Sequence, residues 1–341
     1  MAILTRACNE LFRRRPDERF ASLADLIQHC EADKMNSTDI WAPPTDVKTQ
    51  VQGESIELLV GNEGTFQPNS WSFQQLCQLA SVSRDTVNKV SPETAVQIFE
   101  DTLPQGSKPL QVHAMGNQLR SIHGASYTRL HNVDVLAVVQ ECATDFQPPQ
   151  EGLDGATGLY CGEQDMFCFL IDPAGWADIN GEAFAPGFFI WNSEVGRRTV
   201  GVQTFWFQKV CQNHIVWDAT EVVEYTRKHT ANVRDSLDPL RQIIENLVAK
   251  RDARRDGFVK VIQKAMTERL GKDAEEVLKA LQSQGIPKSI AKEATDIAQK
   301  QGSFTIFSLV DALTRMASKL PNAGDRTEAD MKASSLLTLA A

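Results

Sequence analysis

The chain lacks any pair of cysteines at CxxC spacing. Its seven, Cys8, Cys30, Cys77, Cys142, Cys161, Cys168 and Cys211, are scattered and odd in number. That argues against a disulfide framework or a zinc ribbon and fits a reducing cytoplasm. Neither GxxxxGK[ST] nor GxGxxG occurs, so nucleotide hydrolysis and dinucleotide binding have no signature here. No apolar run approaches membrane-spanning length, and Arg6 and Arg13 to Arg15 interrupt any signal-like core, so no membrane partner is expected. Positive charge is in deficit: 35 Lys and Arg stand against 44 Asp and Glu, a net charge of −9. That argues against coating of nucleic acid by the whole surface but leaves a local basic groove open.

What is present is ordinary soluble-protein material. At 341 residues, 42% hydrophobic and 23% charged, the chain can build one large domain or two modest ones. Its organising stretch is Pro186 to His229. Phe188, Phe189, Ile190 and Trp191 form a short apolar run, Asn192 to Arg198 has turn chemistry around Gly196, and Val200 to Lys209 alternates with period two. A hairpin is expected there. Apolar groups on both faces make it an inner strand pair.

The expected class is α+β: a twisted antiparallel sheet core with flanking helices and a C-terminal helical region. Residues 1–50 read as a helical arm and linker, with Ser22 capping a helix and two prolines at 43–44 opening a polar stretch. Residues 51–235 read as the α+β core. They include a strand from Ile56, a helix over Trp71–Leu79, and a helix started by Ser91-Pro92-Glu93. A hairpin turns at Gly116-Asn117, Asn132 caps a further helix, and two strands flank Gly162-Glu163. Residues 236–320 read as a helical bundle or cap, and residues 321–341 as a loose tail.

Chemistry is sparse. His113, His123 and His131 are too far apart for a compact ligand motif, and Cys161 with Cys168 has no partner at familiar spacing, so no metal or other cofactor is expected. Cys211 and His214 are close enough in sequence to suggest a nucleophile and base, but Cys211 follows a strand of core character. The cations are more suggestive. Between Arg227 and Lys264, ten Lys or Arg oppose five Asp or Glu. Arg197, Arg198, Lys209, Arg227, Lys228 and His229 cluster about the hairpin, and Arg120, Tyr127 and Arg129 form a second basic and aromatic group. Such residues can neutralise phosphate and stack bases, with Trp191, Trp206 and Tyr225 as stacking surfaces. The bland reading is core tryptophans, with arginines paired to Glu194, Glu221 and Asp235.

Four segments taken in order resemble one family. RSIHGASYTRLHNVDVL (120–136), WNSEVGRRTVGVQTFWFQKVCQNHIVW (191–217), TRKHT (226–230) and SFTIFSLVDALTRMA (303–317) are similar to the phage- and plasmid-associated DUF932 family, whose function is unknown. The likeness runs from about residue 56 to 320. It implies a role around foreign or replicating DNA and carries over no catalytic residue. The expectation is a non-enzymatic, homo-oligomeric, cytoplasmic binder of single-stranded nucleic acid that anneals strands in mobile-element recombination. The alternatives are a protein–protein interaction module acting through the C-terminal helices, and a Cys211-dependent hydrolase.

Overall fold

The computed structural model describes residues 14–149, 158–209, 213–216, 225–249 and 251–341. Within them the chain begins with β1 (Glu18–Arg19) and α1 (Leu23–Asn36), capped by Ser22, whose hydroxyl accepts from Asp25 N. Next come β2 (Ser37–Ala42), β3 (Val47–Gln52), β4 (Ser55–Val60), β5 (Gly64–Pro68), α2 (Ser70–Leu79), α3 (Arg84–Val87) and α4 (Pro92–Thr102). Then β6 (Leu110–Met115), β7 (Gln118–Gly124) and α5 (Asn132–Cys142) lead to β8 (Leu159–Cys161), β9 (Met166–Ile171) and β10 (Ala177–Ile179). The long hairpin is β11 (Glu182–Asn192) and β12 (Val200–Gln208), followed by β13 (Asn213–Ile215) and β14 (Tyr225–Arg227). The rest is helical: α6 (Leu237–Ala249), α7 (Arg251–Thr267), α8 (Ala274–Ser283), α9 (Lys288–Lys300), α10 (Ile306–Ala317) and α11 (Ala323–Ser334).

Two sheets result, and the class is α+β. The first runs β1-β8-β9-β11-β12-β13, with β10 on β11 and β14 on β12, all antiparallel. The hairpin occupies its centre, pairing Ile190 with Val202 and Phe188 with Thr204. Its loop turns on Gly196, held at φ +73°, a backbone state that costs glycine least. The second sheet runs β2-β6-β7-β5-β4-β3, antiparallel except where β5 meets β7.

Period-two alternation decides what each face buries. In the first sheet Phe188, Ile190, Val200 and Val202 point toward α1, α5 and α6, meeting Leu26, Leu136, Val139, Leu240 and Ile244. Farther along the hairpin, Phe184 and Trp206 are covered by α7 to α10. The opposite face is curled and aromatic, holding Phe167, Phe169, Phe189, Trp191, Phe205 and Phe207. In the second sheet Leu58, Val112 and Ile122 pack on Phe73, Leu76 and Phe99 of α2 and α4.

Three sequence expectations change. The stretch read as linker after the two prolines at 43–44 is sheet: Val47 and Thr49 alternate inward on β3, and Pro43-Pro44 only opens a short 3-10 turn between strands. The N-terminal helix is core, since Leu26 and Cys30 are fully buried. The loose tail is instead α11 and a 3-10 turn over Ser335–Leu339, with Arg326, Thr327, Asp330 and Ser334 buried. Its small and polar residues read as solvated, but the aromatic face accepts them. Arg326 lies 4.7 Å over the Tyr160 ring and donates to its hydroxyl at 2.9 Å. The N-terminus of α11 is capped from far away, the Asp17 carboxylate accepting from Ala323 N at 2.7 Å.

Candidate nucleic-acid interface

The loop between β11 and β12 brings the two sheets together, and the residues expected to bind nucleic acid gather around it. They divide into a buried joint and an open rim.

The joint is built on two carboxylates. Asp39, on β2, takes Arg129 in a forked pair, with Nε at 3.1 and 3.2 Å and Nη2 at 2.9 Å, and His113 Nδ1 lies 3.0 Å away. Burial would raise the Asp39 carboxyl, but hydrogen bonds from His113 and Arg129 outweigh it and hold the group below the usual range. Glu194, in the hairpin loop, is buried; its carboxylate accepts from Asn132 N at 2.7 Å, and its carbonyl accepts from Arg129 Nη1. The Glu194 carboxylate therefore caps α5. The Asn132 side-chain carbonyl instead accepts from Asn192 Nδ2 at 2.9 Å.

An aromatic stack completes the joint. Tyr127 lies parallel to His123, ring centres 3.6 Å apart, and 5.5 Å from His229, while its hydroxyl donates to Glu194 O at 2.8 Å. Gly196 presses on this stack: a Cβ there would lie 2.7 Å from His123. Burial lowers His123 to about 3 and His229 to about 4, so both rings are neutral. Arg120 is buried too, reaching the Glu163 carbonyl at 3.3 Å. Arg120, Tyr127, Arg129 and His229 thus lie in one buried joint: Tyr127 and Arg129 spend their polar groups on Glu194 and Asp39, Arg120 reaches Glu163, and both ring nitrogens of His229 are buried without a partner. Offering Arg129 or Tyr127 to a polyanion would strip Asp39 and Glu194 of partners, and Arg120 and His229 are buried, so we remove these four from the interface.

The rim differs. Arg197 is exposed, and its guanidinium lies 5.5 Å from the Trp71 ring, whose Nε1 donates to Val195 O at 2.8 Å. No carboxylate pairs with Arg197 among the described residues. Lys228 is exposed at the same end of the hairpin, because β14 sets Arg227 opposite Val200. The side chains of Arg227 and Tyr225 lie outside the described residues, as does Cys211. Lys209 stands apart: at about 3.3 Å per residue, β12 carries it roughly 30 Å from the loop. There its ammonium sits 5.8 Å from the Trp176 ring.

Beside the rim is a pocket of about 320 Å³, walled by Phe167, Phe189, Trp191, Arg197, Arg198 and Gln203 on one side and by α11 on the other. Arg198 lies 5.6 Å from the Phe167 ring centre, with Nε on Asp165 and Nη1 on Glu328, each at 2.7 Å. Its Nη2 is buried without a partner. Burial opposes the Arg198 charge, but Asp165 and Glu328 overcompensate and its pKa rises. Alternation in β9 and β11 could have identified Phe167 and Phe189, since odd-numbered residues share the Trp191 face. Trp206 is on the other face, stacked 4.0 Å from Phe258, and is core.

A larger groove of about 990 Å³ runs past Arg14, Arg15, Gln52, Glu57, Gln67 and Gln118. It has no aromatic wall, and Arg14 already pairs with Asp165 at 2.5 Å. His214, considered as a base for Cys211, is buried and stacked 4.4 Å from Phe169. Among the described residues, one group has the donor types and spacing to hold a metal ion: His29, Asp33 and Cys161. No helix among them is long and apolar enough to cross a membrane. Compared with family models, with curated proteins and with solved structures, the chain matches none.

Proposed function

We propose that the protein binds single-stranded nucleic acid without transforming it, taking one base into the Phe167–Phe189–Trp191 pocket while the backbone passes Arg197 and Lys228. The observation that carries this reading is the pocket's composition: three aromatic rings, a buried amide side chain and two arginines in a space of about 320 Å³. That volume admits a base and excludes a duplex. Phe167, Phe189 and Trp191 are 2%, 1% and 8% exposed, so a base would reach their rings as α11 draws back from this face; stacking there would contribute about 1–3 kcal/mol and tolerate any sequence, because every base has a π face. Arg197, with no carboxylate to leave, can neutralise a phosphate at little cost. The phage- and plasmid-like segments favour a setting of recombination, in which multimers would bring complementary strands together.

The test is titration of a labelled single-stranded oligonucleotide at about 50 and about 200 mM salt. Binding should weaken steeply with salt. In Arg197→Ala the slope of log affinity against log salt should fall by about one. Absence of binding at the lower salt would remove the proposal. Binding by Arg197→Ala with an unchanged slope would move the backbone track elsewhere.

A further inference from the structure

A second site lies on the far side of the first sheet. α1 carries His29 and Asp33 one turn apart on the same face, and β8 brings Cys161 to meet them. The imidazole, carboxylate and sulfur donors all lie within 4.8 Å of one another. A tetrahedral ion with Zn–N near 2.0 Å and Zn–S near 2.3 Å needs donors about 3.3–3.7 Å apart. The set therefore has to close by about an ångström on binding.

The surroundings resemble the outer shell of a metal centre more than an incidental cluster. His29 Nε2 faces Asp33 at 3.6 Å, and Nδ1 faces Glu18 at 3.8 Å. With Nε2 on a metal, Nδ1–H would donate to Glu18, the carboxylate–histidine arrangement that fixes the tautomer and raises ligand basicity. Phe20 holds the imidazole, ring centres 4.9 Å apart. Asp33 has Arg120 Nη1 at 3.9 Å. Asn132 Nδ2 donates to Cys161 Sγ at 3.8 Å, which suits a thiolate. Cys161 is buried, while the His29 and Asp33 side chains keep 29% and 21% exposure, so an ion can enter and its fourth position faces solvent.

We propose that His29, Asp33 and Cys161 form a binding site for a thiophilic divalent transition metal of the Zn²⁺ class. A mixed sulfur, nitrogen and oxygen set selects such ions over Mg²⁺ or Ca²⁺, which take oxygen alone. Three protein ligands leave one position for water or another small ligand. Ligation needs a Cys161 thiolate and a neutral His29, so binding releases protons to solvent and strengthens as pH rises.

The test is titration of the reduced full chain with Co²⁺, read by absorption, followed by competition with Zn²⁺. We expect one equivalent to give a thiolate-to-cobalt charge-transfer band that Zn²⁺ abolishes. His29→Gln should lose the band, and Glu18→Gln should bind about 10-fold to 100-fold more weakly while keeping it. Cys161 is buried and its serine variant could fail to fold. Glu18 is 65% exposed and His29 half-buried, so those two variants report on the site in folded protein. No band with the wild-type chain, or an undiminished band in His29→Gln, would overturn the assignment.

Discussion

Replacing Asp39 by alanine is expected to destabilise the protein by about 3–5 kcal/mol, the usual cost of leaving a buried charge without its partner. The Arg129 side chain is only 3% exposed, and it spends Nε and Nη2 on the Asp39 carboxylate. In Asp39→Ala the guanidinium would remain buried with the Glu194 carbonyl as its remaining acceptor. Removing the charge as well, in Asp39→Ala with Arg129→Met, should restore more than half of the loss, because an apolar side chain of similar volume needs no counter-ion. Urea unfolding of the wild type, both single variants and the double variant gives the coupling directly. A pH series adds an independent reading. The folded Asp39 carboxyl sits below its ordinary value of 3.8, so its contribution is present above that pH and is lost as pH falls through the lower, folded value. Asp39→Asn should flatten that acid limb. If Arg129→Met left stability unchanged yet abolished oligonucleotide binding, the reasoning would fail: Arg129 would be a ligand contact, not the clamp of the joint.

Two further predictions concern single residues. His214 is neutral in the folded protein, lowered to about 3 by burial and then by Arg326. An unfolded histidine titrates near 6.5, so this group contributes stability above 6.5 that is lost on acidification, about 2 kcal/mol by pH 5. His214→Phe should remove that part of the pH dependence of the urea midpoint; an unchanged slope would count against a neutral buried ring. Gly196→Ala should cost at least about 1 kcal/mol from the positive φ alone, with further loss from the 2.7 Å approach to His123. A thermal midpoint equal to wild type would mean that the loop does not press on the stack.

The central hairpin was legible because its evidence is local. Alternation from Val200, turn residues at 192–198 and Gly196 each favour the same register, and the observed pairing follows. The same holds for the Ser91-Pro92 helix start and the Gly116-Asn117 turn. The joint was half legible: residue types at 120–129 and 194–198 marked both halves. Nothing local showed that Arg129 would face Asp39, 90 positions away. Charge counting fails there for a physical reason, since a buried pair cancels in the fold what the sequence displays as a cationic cluster. The helix α11 was misread for the opposite reason. Its residues are small and polar, and only the aromatic face made by β9, β11 and β12 gives them a reason to be buried.

That burial bears on how the pocket could work. Arg326 Nε and Nη2 and Asp330 Oδ1 lie buried without hydrogen-bond partners, and burial raises the Asp330 carboxyl well above the usual range. Each unsatisfied group costs roughly 1–3 kcal/mol, so α11 is held less tightly than its buried area suggests. The same helix supplies Gly324, Thr327, Glu328 and Met331 to the pocket wall, and Glu328 occupies one nitrogen of Arg198. On the proposed reading, a phosphate arriving at Arg198 would compete with Glu328, whose side chain is 63% exposed and therefore inexpensive to displace. Asp165 cannot be displaced so cheaply, because its side chain is fully buried and also takes Arg14. On the proposed reading, the pocket's affinity for an anion would be set by the exposed partner of Arg198, not by the buried one.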